Sequence, residues 1–210
     1  MPALHARSSA EAHLFMALHP CPSCGDEQFE AVVRSSLASP AGRTGSAGSA
    51  GSASHAGSAG DLETAYVGPC RTCGAGREFR FRIDDETETD GGTVPLALGE
   101  PEFGRATPST IIDAGQWLRS ADRILAATPS NVLGVSEEEW QARRFLFKAA
   151  AESVAEVLKF IPAGTDDVPP QGFWTEEGRA VHETSPERFH RAPLERLRLA
   201  CLDLTARYES

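Results

Sequence analysis

Long apolar runs are missing from this chain of 210 residues. The longest near the N-terminus, Leu14-Phe15-Met16-Ala17-Leu18, is far short of the roughly 20 apolar residues of a membrane span. The same region lacks the basic start and the cleavage site of a signal peptide, so the sequence reads as cytoplasmic. Catalytic signatures are missing as well. There is no HExxH, no Gly-rich phosphate loop and no G-x-S-x-G elbow. No H-x-E occurs, which excludes the zinc deaminases, although Pro20-Cys21 and Pro69-Cys70 both fit the P-C-x-x-C half of their signature. A thioredoxin-like site would need one CxxC at a helix start in a βαβ setting, and neither pair has one. The expectation is a protein that is not an enzyme.

Positive charge is also scarce, with 20 Lys and Arg against 30 Asp and Glu and a net charge of −10. The deficit is uneven. Residues 1–83 carry seven arginines and seven acids, so the whole excess falls in residues 84–210. An acidic C-terminal region repels a phosphate backbone and disfavours broad binding of nucleic acid. It either keeps the protein soluble or offers a surface to a basic protein partner.

Cysteines are few but patterned. Four of the five form Cys21-Pro-Ser-Cys24-Gly25 and Cys70-Arg-Thr-Cys73-Gly74. Two sulfurs separated by two residues can point inward from one tight turn, and the glycine after each pair tolerates the positive φ such turns need. Two such turns complete the tetrahedral sulfur shell that Zn²⁺ prefers. This pattern belongs to a metal site in a reducing compartment rather than to a disulfide framework. The 45 residues between Cys24 and Cys70 exceed the usual 15–20 of paired CxxC modules. Between about Ser39 and Gly60, however, Gly-Ser-Ala recurs four times with almost nothing to bury, which predicts a flexible insert at the far end of a hairpin. His55 within it reads as a solvated loop residue. Removing those 22 residues leaves 23 between the pairs.

On these motifs residues 13–84 resemble a zinc ribbon. The resemblance implies that Cys21, Cys24, Cys70 and Cys73 ligate one structural Zn²⁺ per chain. The doubled CxxCG also loosely resembles the double-CxxCG immunity proteins that neutralise bacterial secreted toxins, a likeness that does not extend to the helices. It implies a non-catalytic protein that works through protein–protein contact as an immunity or regulatory partner. The alternative is a nucleic-acid-associated ribbon using the arginines around the second knuckle: Arg71, Arg77, Arg80 and Arg82. Against it, Phe79, Phe81 and Ile83 alternate with Arg80 and Arg82, which reads as a core face and a solvated face of one strand.

The fold class expected is α+β, an N-terminal ribbon of short antiparallel strands followed by a C-terminal helical domain. Residues 1–12 read as a flexible lead, 85–108 as a linker and 109–210 as the helical domain. His13 to His19 reads as a strand or a short helical turn, and Phe29, Ala31 and Val33 as the buried face of another strand. Helices are predicted over 109–127, from a Ser136–Glu139 capping box to Ile161, and from within 186–194 to about Arg207. Trp140, Phe147, Ala151, Val154, Leu158 and Ile161 mark one stripe; Leu194, Leu197, Cys201, Leu204 and Tyr208 mark another. Cys201 reads as a buried small hydrophobe. His182, Glu183 and His190 lie in a charged, surface-like stretch, and Trp117, Trp140 and Trp174 have no assigned role.

Overall fold

The computed structural model describes residues 2–37, 62–83, 103–104, 106–131 and 134–207. The Gly-Ser-Ala tract with His55, most of the expected linker and Tyr208 lie outside the described residues. Among the described residues the architecture is mixed: a four-stranded sheet and five α-helices, with the strands towards the N-terminus and four of the helices following them.

Residues 1–12 were expected as a flexible lead; of the described part, residues 4–6 enter the sheet and residues 9–12 begin its covering helix. Strand β1 (Leu4–Ala6) pairs parallel with β4 (Gly76–Ile83), placing Leu4 opposite Phe81 and Ala6 opposite Ile83. Helix α1 (Ser9–Leu18) follows at once. Its start was legible: Ser8 caps the Glu11 amide, and Glu11 reaches back to accept from the Arg7 amide. Ala6, Glu11 and Ala12 are fully buried. A three-residue strand gives no period to read, so only its distant partner reveals it.

Strands β2 (Val32–Leu37) and β3 (Leu62–Pro69) pair antiparallel, as do β3 and β4, giving the order β1-β4-β3-β2. Leu37 stands opposite Leu62, so the long tract leaves and re-enters the sheet at the end away from the cysteines. Helix α1 packs Phe15 against Phe79 and Phe81, whereas Arg80 and Arg82 face solvent. The expected strand from Phe29 begins only at Val32. Val32 and Val33 are 60% and 52% exposed because β2 is an edge strand beyond the reach of α1.

The helical part contains α2 (Ala114–Ala127), α3 (Glu137–Leu158), α4 (Glu176–Thr184) and α5 (Arg191–Ala206). The segment before α2 is a turn rather than helix, with the Ser109 hydroxyl accepting from the amides of Ile111 and Ile112. Asp113 and Gln116 form a reciprocal capping box at the start of α2. Asp113 also accepts from the amide and hydroxyl of Thr175, the cap of α4, so one buried carboxylate fixes two helix starts. Gly115 and Gly178 permit this close approach, since a side chain on Gly178 would run into that carboxylate. At α3 only half of the expected box forms. Ser136 caps the Glu139 amide, while the Glu139 carboxylate pairs with Arg143.

The predicted stripes do face the core at Phe147, Ala151, Val154, Ile161, Leu194 and Cys201; Trp140 is only half-buried. One apolar cluster runs from Ala6, Met16, Tyr66 and Phe81 through Phe103 and Trp117 to Val157 and Leu194. Sheet and helices thus share a core, and Phe103, expected in a linker, is buried against Trp117.

Polar groups reinforce that joint. Arg7 donates to Glu11 of α1, to Glu156 of α3 and to the Thr107 carbonyl. Lys159 donates to Glu156 and to the Gly104 carbonyl. No helix among the described residues is long and apolar enough to cross a membrane.

Candidate metal centre

The two CxxCG turns are local repeats of one hydrogen-bond pattern. In the first, the Cys21 amide donates to the Asp26 carbonyl and the Gly25 amide returns to the Cys21 carbonyl, at 2.7 and 2.8 Å. In the second, Cys70 donates to Ala75 and Gly74 to Cys70, at 2.8 and 3.0 Å. Gly25 and Gly74 have φ of 77° and 71°. A side chain at either would meet open space, so the backbone angle alone selects glycine. The second knuckle is the connection between β3 and β4, whose last paired residues are Pro69 and Gly76. The first follows α1 and is brought alongside by a bridge between Phe29 and Cys70.

All four sulfurs of Cys21, Cys24, Cys70 and Cys73 lie within 4.8 Å of one another. Two contacts cross between the knuckles, Cys21 with Cys73 at 3.6 Å and Cys24 with Cys70 at 3.5 Å. A tetrahedral ion with Zn–S bonds of about 2.3 Å needs sulfur–sulfur edges of about 3.8 Å, so the thiols fit such an ion. Among the described residues this is the one cluster of three or more groups able to hold a metal. It is compatible with a zinc-ribbon-like site. The first cysteine of each knuckle is buried, Cys21 at 1% exposure and Cys70 at 2%, and the second is exposed.

The thiols do not share one proton affinity. The Ser23 amide, helped by neighbouring thiols and opposed by burial, lowers Cys21 to about 6. At Cys24 the Asp26 amide pulls down but is outweighed by burial and the other three thiols, which raise it to about 12. One sulfur is thus ready to ionise and another resists, as expected when anions are crowded without a cation. A metal ion held here would resolve that conflict, because it would require the thiolate at every position.

The residues around the cluster were not foreseen. Asp26, five residues after Cys21, accepts from the Thr72 hydroxyl at 2.8 Å and lies 3.7 Å from the Cys70 sulfur. Hydrogen bonds from the Gln28 amide and then Thr72 hold its carboxyl below the usual range. Nothing in its spacing distinguishes Asp26 from an ordinary turn residue.

The four arginines separate. Arg77 is buried, at 6% exposure, with its guanidinium 4.5 Å from the Phe29 ring centroid. It donates to the carbonyls of Glu27, Met16 and His19, supplying a cation to the C-terminal end of α1. Strand parity explains this: residues 77, 79 and 81 share the inner face. Arg71 pairs with Glu30 and Gln28, and Arg80 with Glu78 and Glu63, all at the surface. Arg82 is exposed opposite Glu63.

The remaining candidates are spread through the helical part. His182 is stacked on Phe173 at 4.2 Å and lies 5.4 Å from Phe189, so it is held by rings. Glu183 and His190 are exposed. Trp117 is enclosed in the core, and Trp174 packs against Phe160. Burial raises Cys201 to about 11, in keeping with a core thiol. A groove of about 670 Å³ runs beside α4, but its arginines are engaged, Arg119 by Glu177 and Arg188 by Asp122.

No protein-family model, curated protein or solved structure matches this chain.

Proposed function

We propose that the protein holds one structural Zn²⁺ between its two knuckles and acts as a non-catalytic binding protein through contact with another protein, as an immunity or regulatory partner would. The observation that carries this reading is the convergence of four sulfurs within 4.8 Å from two matching turns. An all-thiolate tetrahedral set suits zinc, and four protein ligands leave no position for a substrate or an activated water. The protein-contact part is supported by charge. The acidic excess of residues 84–210 suits a basic partner and repels phosphate. The arginine cluster offered to nucleic acid loses Arg77 to the interior.

Elemental analysis of the purified protein should give about one zinc per chain, and replacing Cys21 and Cys70 together by serine should abolish it. Zinc-free wild-type protein would end the metal reading. Affinity capture followed by mass spectrometry tests the rest: recovery of a basic protein supports it, and recovery of RNA or DNA released by salt overturns it.

A further inference from the structure

The knuckles share a backbone but not their side chains, and the difference falls at the metal centre. Counting from the first cysteine of each turn, the third residue is Ser23 in one and Thr72 in the other, and the sixth is Asp26 in one and Ala75 in the other. Asp26 therefore has a hydroxyl to engage across the centre, whereas Ala75 offers nothing to Ser23. The Asp26–Thr72 hydrogen bond is one side-chain tie between the two CxxCG turns themselves. Further ties run from the second turn to the segment just past the first. The Arg71 guanidinium donates to Gln28 and Glu30, and the Glu30 amide donates to the Pro69 carbonyl.

We infer that Asp26 is a positioning residue of the metal centre: by accepting from Thr72 it sets the second turn against the first, so that the four sulfurs stand at ligating distance before an ion arrives. The inference rests on the metal reading above. The carboxylate is fixed at both oxygens. Oδ1 accepts from the Gln28 amide at 3.1 Å within its own turn, and Oδ2 accepts from Thr72 across the centre. It cannot swing away without breaking one of these. Two turns joined only through the ion would have to be ordered at the moment of binding, at an entropic cost. Turns already joined bind with that cost met in advance. Groups that orient metal ligands typically contribute 10- to 100-fold in affinity. The same position carries a penalty, because a carboxylate beside a thiolate cluster adds negative charge where the shell is already anionic. Its hydrogen-bonding oxygen is useful to the centre, and its charge is not.

The test compares Asp26→Ala, Asp26→Asn, Thr72→Val and the Asp26→Ala/Thr72→Val pair, with zinc affinity measured by competition against a chromophoric chelator. The visible spectrum of the Co²⁺-substituted protein reports the geometry of the sulfur shell. Asp26→Ala and Thr72→Val should each weaken zinc binding about 10-fold or more, and the double variant should be no worse than either single one. Asp26→Asn removes the charge and keeps an oxygen for the Gln28 amide, while its NH2 takes the place of Oδ2 and donates to the Thr72 hydroxyl oxygen, so the tie survives with its direction reversed and zinc should bind at least as tightly as in the wild type. Melting of the zinc-free variants should stay near that of the zinc-free wild type, which a role in the fold alone would not predict, and the loss should appear only when zinc is bound. Wild-type affinity in Asp26→Ala, or additive losses in the double variant, overturns the inference while leaving the metal reading intact. Wild-type protein that takes up neither zinc nor cobalt overturns both.

Discussion

The sulfur centre and the charged cluster around Arg7 each join segments far apart in the chain, but only one of them is electrically complete. At the joint between sheet and helices, two anions, Glu11 and Glu156, meet two cations, Arg7 and Lys159. The cluster is nearly closed to solvent and needs nothing from outside. At the knuckles, four thiols and the Asp26 carboxylate converge, and among the described residues no cation acts on Cys21 or Cys24. Two of those thiols are exposed. A buried set that balances its own charge is a staple of the fold. A convergent set of four thiols without a cation is one that could hold a metal ion.

The sharpest way to break the comparison is to make the balanced cluster resemble the unbalanced one. Arg7→Met leaves the Glu11 carboxylate, fully buried, and the Glu156 carboxylate without their shared cation. Removing one partner of a buried ion pair costs about 3–5 kcal/mol. The loss should be visible as a lower midpoint in urea, and zinc should not restore it. A change below about 1 kcal/mol would mean that the cluster is hydrated and contributes as surface pairs do.

Metal removal tests the other side. The sheet is not a free-standing ribbon, since Ala6, Met16, Tyr66 and Phe81 belong to the same apolar cluster as Trp117 and Val157. Chelation should therefore loosen the knuckles and spare the rest. Hydrogen exchange is the appropriate measurement. The amides of Cys21, Gly25, Cys70 and Gly74 should lose protection, while those of β4 and α3 keep theirs. Zinc at 100 times its dissociation constant should add about 2.7 kcal/mol to the zinc-free stability. Collapse of protection throughout the chain would show instead that the ion holds the whole fold.

The contrast between these sites also separates what the sequence disclosed from what it hid. The cysteine spacing and the following glycines were sufficient to place four sulfurs together, because each knuckle is a local object whose geometry depends on five or six consecutive residues. The stripes of α3 and α5 were readable for the same reason. Proximity in sequence groups Arg77 with Arg71, Arg80 and Arg82, whereas period two puts residue 77 on the inner face with Phe79 and Phe81. The Ser8–Glu11 spacing is itself a helix-start signal, and it marks the order of residues 9–12. Nothing local could have revealed that Arg7 would meet Glu156, which is 149 residues away. The same holds for the contact between Asp26 and Thr72.

The smallest expected effect lies within the balanced cluster and depends on pH. Burial raises the proton affinity of Glu156 above the ordinary carboxylate value of 4.5, and the opposing pull of Lys159 and Arg7 does not fully offset it. A carboxyl whose folded pKa exceeds its unfolded one binds its proton more tightly when folded. Its contribution to stability is therefore fully present below the unfolded pKa and is lost as pH rises through the folded one. Glu156→Gln mimics the protonated form at every pH, so its stability relative to the wild type should improve between pH 4 and pH 7. The gain should be about 1.4 kcal/mol for each tenfold difference in proton affinity between the folded and unfolded states. Urea titrations of both proteins across that range measure it directly. An opposite slope, with the variant falling behind as pH rises, would mean that Arg7 and Lys159 overcome burial and that the ionised carboxylate is the form the fold prefers.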